Sequence, residues 1–277
     1  WLRKLDRDFT LGVLAGLQTL PEYQANTIRL DWAMRLVLTH CAGNARPTRN
    51  QLETLLNVFL ERANVTRLED PIEDFFVAPV VTRQGEFLMI LSTWERPIFH
   101  TENILEAFEA LPEGKPKTDA LTQAHALLVV GEEIVRRGGI PRWTVGSGSP
   151  AQAMTLPRGE QLGVLNERVR LTWDELDDLI PDVELLLPFA LPEEIRTEVA
   201  DQPIGNSLLE FKPLIIGPNG VLVVAPGNIS TAVRGHLINT AVIHEMERPF
   251  RRRLLSVQTQ MISDSGFVRL EGLPDLP

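Results

Sequence analysis

The feature that most constrains the fold is a change of hydrophobic rhythm that happens twice. From Leu2 the apolar residues fall three and four apart, as in Leu5, Phe9, Val13 and Leu17, the spacing that lines one face of a helix. At Phe75 the rhythm becomes unbroken: Phe75, Phe76, Val77, Ala78, Pro79, Val80, Val81, then the polar Arg83 and Gln84 with Gly85, then Phe87 to Leu91. Two apolar runs across a short turn containing glycine predict a β-hairpin. Both of its faces are apolar, so it should be covered on both sides, with Pro79 at an edge or bulge because proline donates no ladder hydrogen bond. A second hairpin is expected over Leu208 to Ile216 and Val221 to Ala225, around the turn Gly217, Pro218, Asn219, Gly220. Each hairpin is followed by a helical pattern, so the two units look alike, although this is a common local solution.

The helices carry their own start and stop signals. Leu2 to Leu20 predicts the first, interrupted by Pro21; Leu30, Met34, Val37 and Cys41 form the stripe of a second, ending near Gly43 and Asn44. Thr48 with Gln51 makes a capping box for a third, with Leu52, Leu55, Leu56 and Phe59 as its buried stripe. These three should form a bundle. Thr101 is expected to cap a helix containing Ile104, Leu105 and Phe108, and a helix over Asp119 to Arg137 should end at Gly138 and Gly139. Beyond the Gly and Ser segment from Gly146 to Ser149, extended runs are expected near Leu162 to Leu165, Val169 to Leu171 and Val183 to Leu187. Thr172 with Glu175 caps a short acidic helix, Pro192 primes another, and Asn228 should cap the last long one.

The expected fold class is therefore α+β, an N-terminal helical bundle followed by two β-hairpin-plus-helix units. Residues 1–145 would hold the bundle and the first unit, residues 146–277 the second unit with a long C-terminal helix and a linker tail. With 277 residues, 44% of them hydrophobic, the chain can bury a core. No apolar run reaches a membrane-spanning length, the first residues do not read as a signal peptide, and one cysteine in the whole chain fits a reducing compartment. These traits point to the cytoplasm. A start at Trp1 and a tail of Gly272, Leu273, Pro274, Asp275, Leu276, Pro277 suggest a piece of a longer protein.

Pro181 and Asp182, with Glu210, Phe211 and Lys212 further on, resemble the motif of the PD-(D/E)xK nuclease superfamily. The resemblance implies Asp182 and Glu210 as ligands of Mg²⁺ and Lys212 as the group that orients or activates the attacking water. It requires Glu210 and Lys212 to share one face of a strand. The plainer reading is a solvated pair opposite buried Leu209 and Phe211, with Pro213 fitting poorly in a central strand.

Other chemistry-bearing residues read as structural. His40 and Cys41 are adjacent on a helix and diverge by about 100°, so they form no dyad, and Cys41 completes an apolar stripe. His244 and Glu245 begin the zinc-protease pattern, but Arg248 stands where its second histidine belongs. No metal site and no cofactor are expected outside the nuclease reading.

The net charge of -10 disfavours a uniformly basic nucleic-acid binder. Against it stand Arg248, Arg251, Arg252 and Arg253, with Arg234 upstream on what reads as the same long helical region. Four arginines within six residues suit phosphates or an acidic partner, while a solvated helix face with salt bridges to Glu245 and Glu247 is the plainer account. No set of residues supplies nucleophile, base and orienting group together. The leading expectation is a non-catalytic intracellular interaction or scaffold module of a larger multidomain protein, contacting another domain or subunit. A Mg-dependent nuclease and an arginine-mediated binder of nucleic acid or an acidic partner are the alternatives.

Overall fold

The computed structural model describes residues 1–63, 75–92, 100–142, 144, 153–193 and 208–264. The fold is α+β, with two small antiparallel sheets among helices. Helices α1 (Arg7–Leu17), α2 (Thr27–His40) and α3 (Arg49–Ala63) form the N-terminal bundle, α1 packing on α2 and α2 on α3. Helix α1 starts later than the periodicity suggests, because Leu2–Lys4 form a 3-10 turn and Asp6 caps α1 by accepting from the Phe9 amide at 2.8 Å. Helix α2 ends at His40 with Cys41 already extended, and Gly43 is not a left-handed stop. It bridges Asp6 in parallel, and a Cβ there would meet the Lys4 carbonyl oxygen at 2.2 Å. The capping box of α3 is present, Thr48 and Gln51 exchanging backbone and side-chain hydrogen bonds.

The first hairpin joins β1 (Phe75–Thr82) to β2 (Gly85–Ser92), in a register that sets Val77 opposite Ile90 and Val80 opposite Phe87. A two-stranded sheet has two open edges, and neighbouring side chains cover part of each. Glu102 accepts from the Val81 amide at 2.7 Å and Glu132 from the Leu88 amide at 3.3 Å. Val80 and Ile90 are buried, and Leu88 is only half-buried, against a small separate cluster of Val77, Ile90, Val135 and Ile140.

Helix α4 (Thr101–Glu109) begins at Thr101, with His100 in the cap position, so Thr101 is its first residue and not its cap. Helix α5 (Lys115–Gly138) runs for 24 residues and begins four residues before the expected Asp119, because Pro116 is tolerated in a first turn whose amides have no helical partner. It ends as expected at Gly139, left-handed at φ 65. It packs on β2, on the helix after the second hairpin and on the 3-10 stretch Val183–Phe189. The approach is closest at Gly131, where a Cβ would come to 2.9 Å from both Ile229 and Met89.

Three sequence expectations are corrected in the following segment. Leu162 to Leu165 lies in helix α6 (Gln161–Arg168), because Leu162 and Leu165 are a helical pair three apart that buries against α1. Val183 to Leu187 is 3-10 helix, started by Asp182, whose carboxylate accepts from the Glu184 amide at 2.8 Å. Leu208 to Ile216 is not one strand. Helix α8 (Leu208–Phe211) comes first and β4 (Leu214–Gly217) follows, with Pro213 between them where no ladder donor is needed. Phe211 is consequently 43% exposed instead of buried.

Strand β5 (Gly220–Val223) is central in the second sheet, between β4 and β3 (Arg170–Thr172), giving the order β3-β5-β4. After β3, helix α7 (Trp173–Leu179) has the expected capping box of Thr172 and Glu175. Leu209, Val221 and Val223 are buried as expected, as are Leu52, Leu55 and Leu56. The side chains of Phe59 and Phe76, the Gly146 to Ser149 loop and most of the helix expected after Pro192 lie outside the described residues.

Asn228 occupies the cap position of α9 (Ile229–Ile243), but its side chain donates to the Leu209 carbonyl at 3.4 Å instead of capping. A further helix follows, α10 (Glu247–Asp264). Between them Glu245 takes φ 57, the only non-glycine with positive φ among the described residues. The Met246 amide reaches the Ala241 carbonyl at 2.7 Å and the Glu245 amide reaches Val242 at 3.2 Å, the paired bonds of a Schellman helix end. Arg234 and the later arginines therefore lie on two helices.

One continuous core runs from Leu5 and Leu14 in the bundle through Phe108 and Leu127 to Val223, Leu237 and Phe250. Polar links reinforce it: Asn57 exchanges two hydrogen bonds with the Met154 backbone, Tyr23 donates to the Thr155 carbonyl at 2.7 Å, and Gln18 accepts from the Gly227 amide at 3.2 Å.

Candidate interaction surface

The shared strand face that nuclease chemistry requires of Glu210 and Lys212 is absent. Glu210 is on the short helix α8, and the Lys212 amide continues that helical turn by donating to Leu208 at 2.7 Å. The Lys212 ammonium turns inward to donate to the Pro188 carbonyl, and burial lowers its pKa. Asp182 acts as a cap. Among the described residues no three His, Cys, Asp or Glu side chains are grouped to hold a metal ion.

Beside Lys212 lies His236 of α9. Its ring stands edge-on to Phe189 at 4.9 Å, and its Nε2 pairs with Gln123 of α5 at 2.9 Å. Burial, with the Lys212 charge added, lowers its pKa to about 4. A neutral imidazole and a tethered ammonium thus join α5, α9 and the 3-10 stretch. Sequence reading passed over His236 because its partners come from three distant segments.

The end of α5 carries a second polar network. Glu133 is buried and takes hydrogen bonds from Arg136 at 2.6 Å and from Arg137 at 2.7 Å. Those bonds, that of Arg136 foremost, hold its carboxyl below the usual range against the opposing effect of burial. Arg137 also donates to the Arg170 carbonyl and to Glu175, each at 2.6 Å, tying α5 to β3 and α7. Arg137 and Glu175 border a cleft of about 560 Å³ beneath the β4–β5 turn, rimmed also by Asp8, Glu167 and Arg170. With all three guanidinium nitrogens of Arg137 donating to protein, this network is an internal brace.

The arginine block is arranged differently. Helix α10 lays Phe250, Leu254 and Val257 against α4 and α9, the Phe250 ring edge-on to Phe108 at 6.0 Å. Spacing of four and three fixes that inner face, and Pro249 is accommodated within the first turn. Arg248, Arg251, Arg252 and Arg253 are all exposed. Arg251 pairs with Glu247 at 2.5 Å one turn back. Arg248, Arg252 and Arg253 make no ion pair among the described residues. Arg234 is half-buried on α9 and donates to Thr231 at 2.9 Å, so it stands apart from the block. Exposed apolar side chains accompany the arginines: Leu255 at 65%, and Val242 and Ile243 at the end of α9. Arg251 and Arg252, four and three residues before exposed Leu255, share its side of α10, a mixture of charged and apolar groups that suits an interface.

The fold is thus an α+β unit in which the charges at the end of α5 are paired internally and α10 presents unpaired cations. The chain belongs to the Upx-like family of anti-phage proteins, whose family model matches residues 2–268. No curated protein and no solved structure matches the chain. No helix among the described residues is long and apolar enough to cross a membrane.

Proposed function

We propose that this chain takes part in defence against phage as a non-catalytic interaction module, and that the outer face of α10 is where it grips its partner. The observation that carries the reading is the contrast between arginines. Each guanidinium nitrogen of Arg137 donates to a protein acceptor, whereas Arg248, Arg252 and Arg253 are exposed with no acceptor among the described residues. A planar guanidinium that stays charged at every physiological pH is suited to carboxylate or phosphate. The partner class favoured is an acidic protein surface, because the net charge of -10 opposes approach to a long polyanion. Membership of an anti-phage family supports the biological setting.

The test is protection of bacteria expressing the protein against phage challenge, for wild type and for Arg251→Glu with Arg252→Glu. Both side chains are exposed, so the double variant should keep its unfolding midpoint and lose most protection. Full protection by a stably folded double variant would return α10 to an ordinary solvated helix. A parallel titration with DNA and RNA, and a cleavage assay with Mg²⁺ on Asp182→Asn, address the rival classes. Tight nucleic-acid binding abolished by the double reversal would move the partner class to nucleic acid.

A further inference from the structure

Deepening that reading and resting on it, we propose that the partner of the α10 face is a second copy of this chain, which presents the acidic surface of α7 and the 3-10 stretch after it. Asp174, Asp177 and Asp178 of α7, and Asp182 and Glu184 just beyond it, are all exposed. None of the five forms an ion pair with a cation among the described residues. Leu187, 57% exposed, lies a few residues further on. The chain thus carries two surfaces of opposite sign, each with unpaired charges and each with an exposed leucine.

The two surfaces stand on different supports. Helix α7 packs on β3 and β5, while α10 packs on α4 and α9. Cations and carboxylates left unpaired within one molecule can be paired by two molecules side by side. The net charge of -10 makes random encounters between copies repulsive, so an attractive orientation is the one that brings the cationic helix of one copy to the acidic surface of the other. Such a contact joins two different patches, so it either closes reciprocally about a two-fold axis or extends head to tail into a ring or a filament. Exposed leucines on both patches add an apolar centre to the charged rim.

The experiment is light scattering and sedimentation of the purified 277-residue chain over a concentration series, at about 50 mM and about 500 mM salt, conditions that shorten the screening length roughly threefold. The expected result is concentration-dependent assembly at low salt, with an apparent Kd at least about tenfold weaker at high salt. Arg251→Glu with Arg252→Glu, and separately Asp177→Lys with Asp178→Lys, should each be monomeric. Mixed in equal amounts they should associate again, since each supplies the surface that the other has reversed. Misfolding does not imitate that rescue. A wild type that stays monomeric throughout, or two variants that fail to associate on mixing, overturns the proposal. If self-association is absent while the arginine reversal still abolishes phage protection, α10 binds another molecule and the broader reading stands. If self-association is present while the reversal leaves protection intact, the broader reading fails and the assembly remains.

Discussion

Gly16 of α1 lies so close to Leu165 of α6 that a Cβ on the glycine would come to 2.3 Å from the Leu165 carbonyl oxygen. One turn earlier, a Cβ on Gly12 would meet the Asn166 side chain at 2.1 Å. Two glycines four apart share a helix face, so α1 offers α6 a bare backbone strip, and this contact joins the bundle to the second half of the chain. Gly16→Ala should therefore destabilise by about 1–3 kcal/mol or more, because the obstacle is backbone that cannot rotate away. Gly163→Ala, on the other helix of the pair with nothing within 4 Å, should stabilise by about 0.5–1 kcal/mol through helix propensity. Urea unfolding of both variants checks the opposite signs.

His236 supplies a pH dependence. Its folded pKa of about 4 lies below the ordinary value of 6.5, so the unfolded chain binds the proton more tightly. The stability that this group contributes is complete above about pH 6.5 and is lost as pH falls through about 4, on the order of 3 kcal/mol in all. Unfolding free energies measured from pH 7 to pH 4.5 should show a shallower decline in His236→Gln than in wild type. Parallel declines would mean that the ring is protonated without cost.

Glu245 holds the left-handed position of a helix end that glycine normally occupies. Glu245→Gly should relieve about 1 kcal/mol and raise Tm by about 2–4 °C. A fall in Tm would show that the Glu245 side chain contributes more than its backbone costs.

Cys41 is 5% exposed, and burial pushes its thiol up to about 11, an effect that nearby Arg7 only partly offsets. At pH 8 a disulfide reagent should leave the native protein essentially unmodified and titrate one thiol per chain after denaturation. Rapid labelling of the native protein would show that the end of α2 opens readily.

The first hairpin was legible because Phe75 to Leu91 is apolar on both faces with one polar turn, a pattern that few helices share. The second was half legible. Leu208 to Ile216 is equally apolar, and the sequence alone does not distinguish a single turn of helix from strand before Pro213. The division between α9 and α10 carries no glycine and no proline at the break; it is made by backbone hydrogen bonds to Ala241 and Val242, which composition does not encode. That missed break merged Arg234 with the α10 arginines. The block itself was legible as composition, but which guanidinium groups are paired depends on partners far away in sequence, such as Glu175 for Arg137. The glycine strip on α1 was overlooked because its reason lies on α6.

Attachment of α10 along one side has a consequence for how the molecule breathes. Amides in α5, enclosed by β2, α9 and α6, should exchange with solvent deuterium only through global opening. Helix α10 is held from one side only, by Phe250, Leu254 and Val257 against α4 and α9, so its amides should exchange through a smaller, local event. A ligand that clasps the arginines holds the helix down and slows that exchange, whereas exchange in α5 changes little, leaving a protection footprint that marks where the ligand sits.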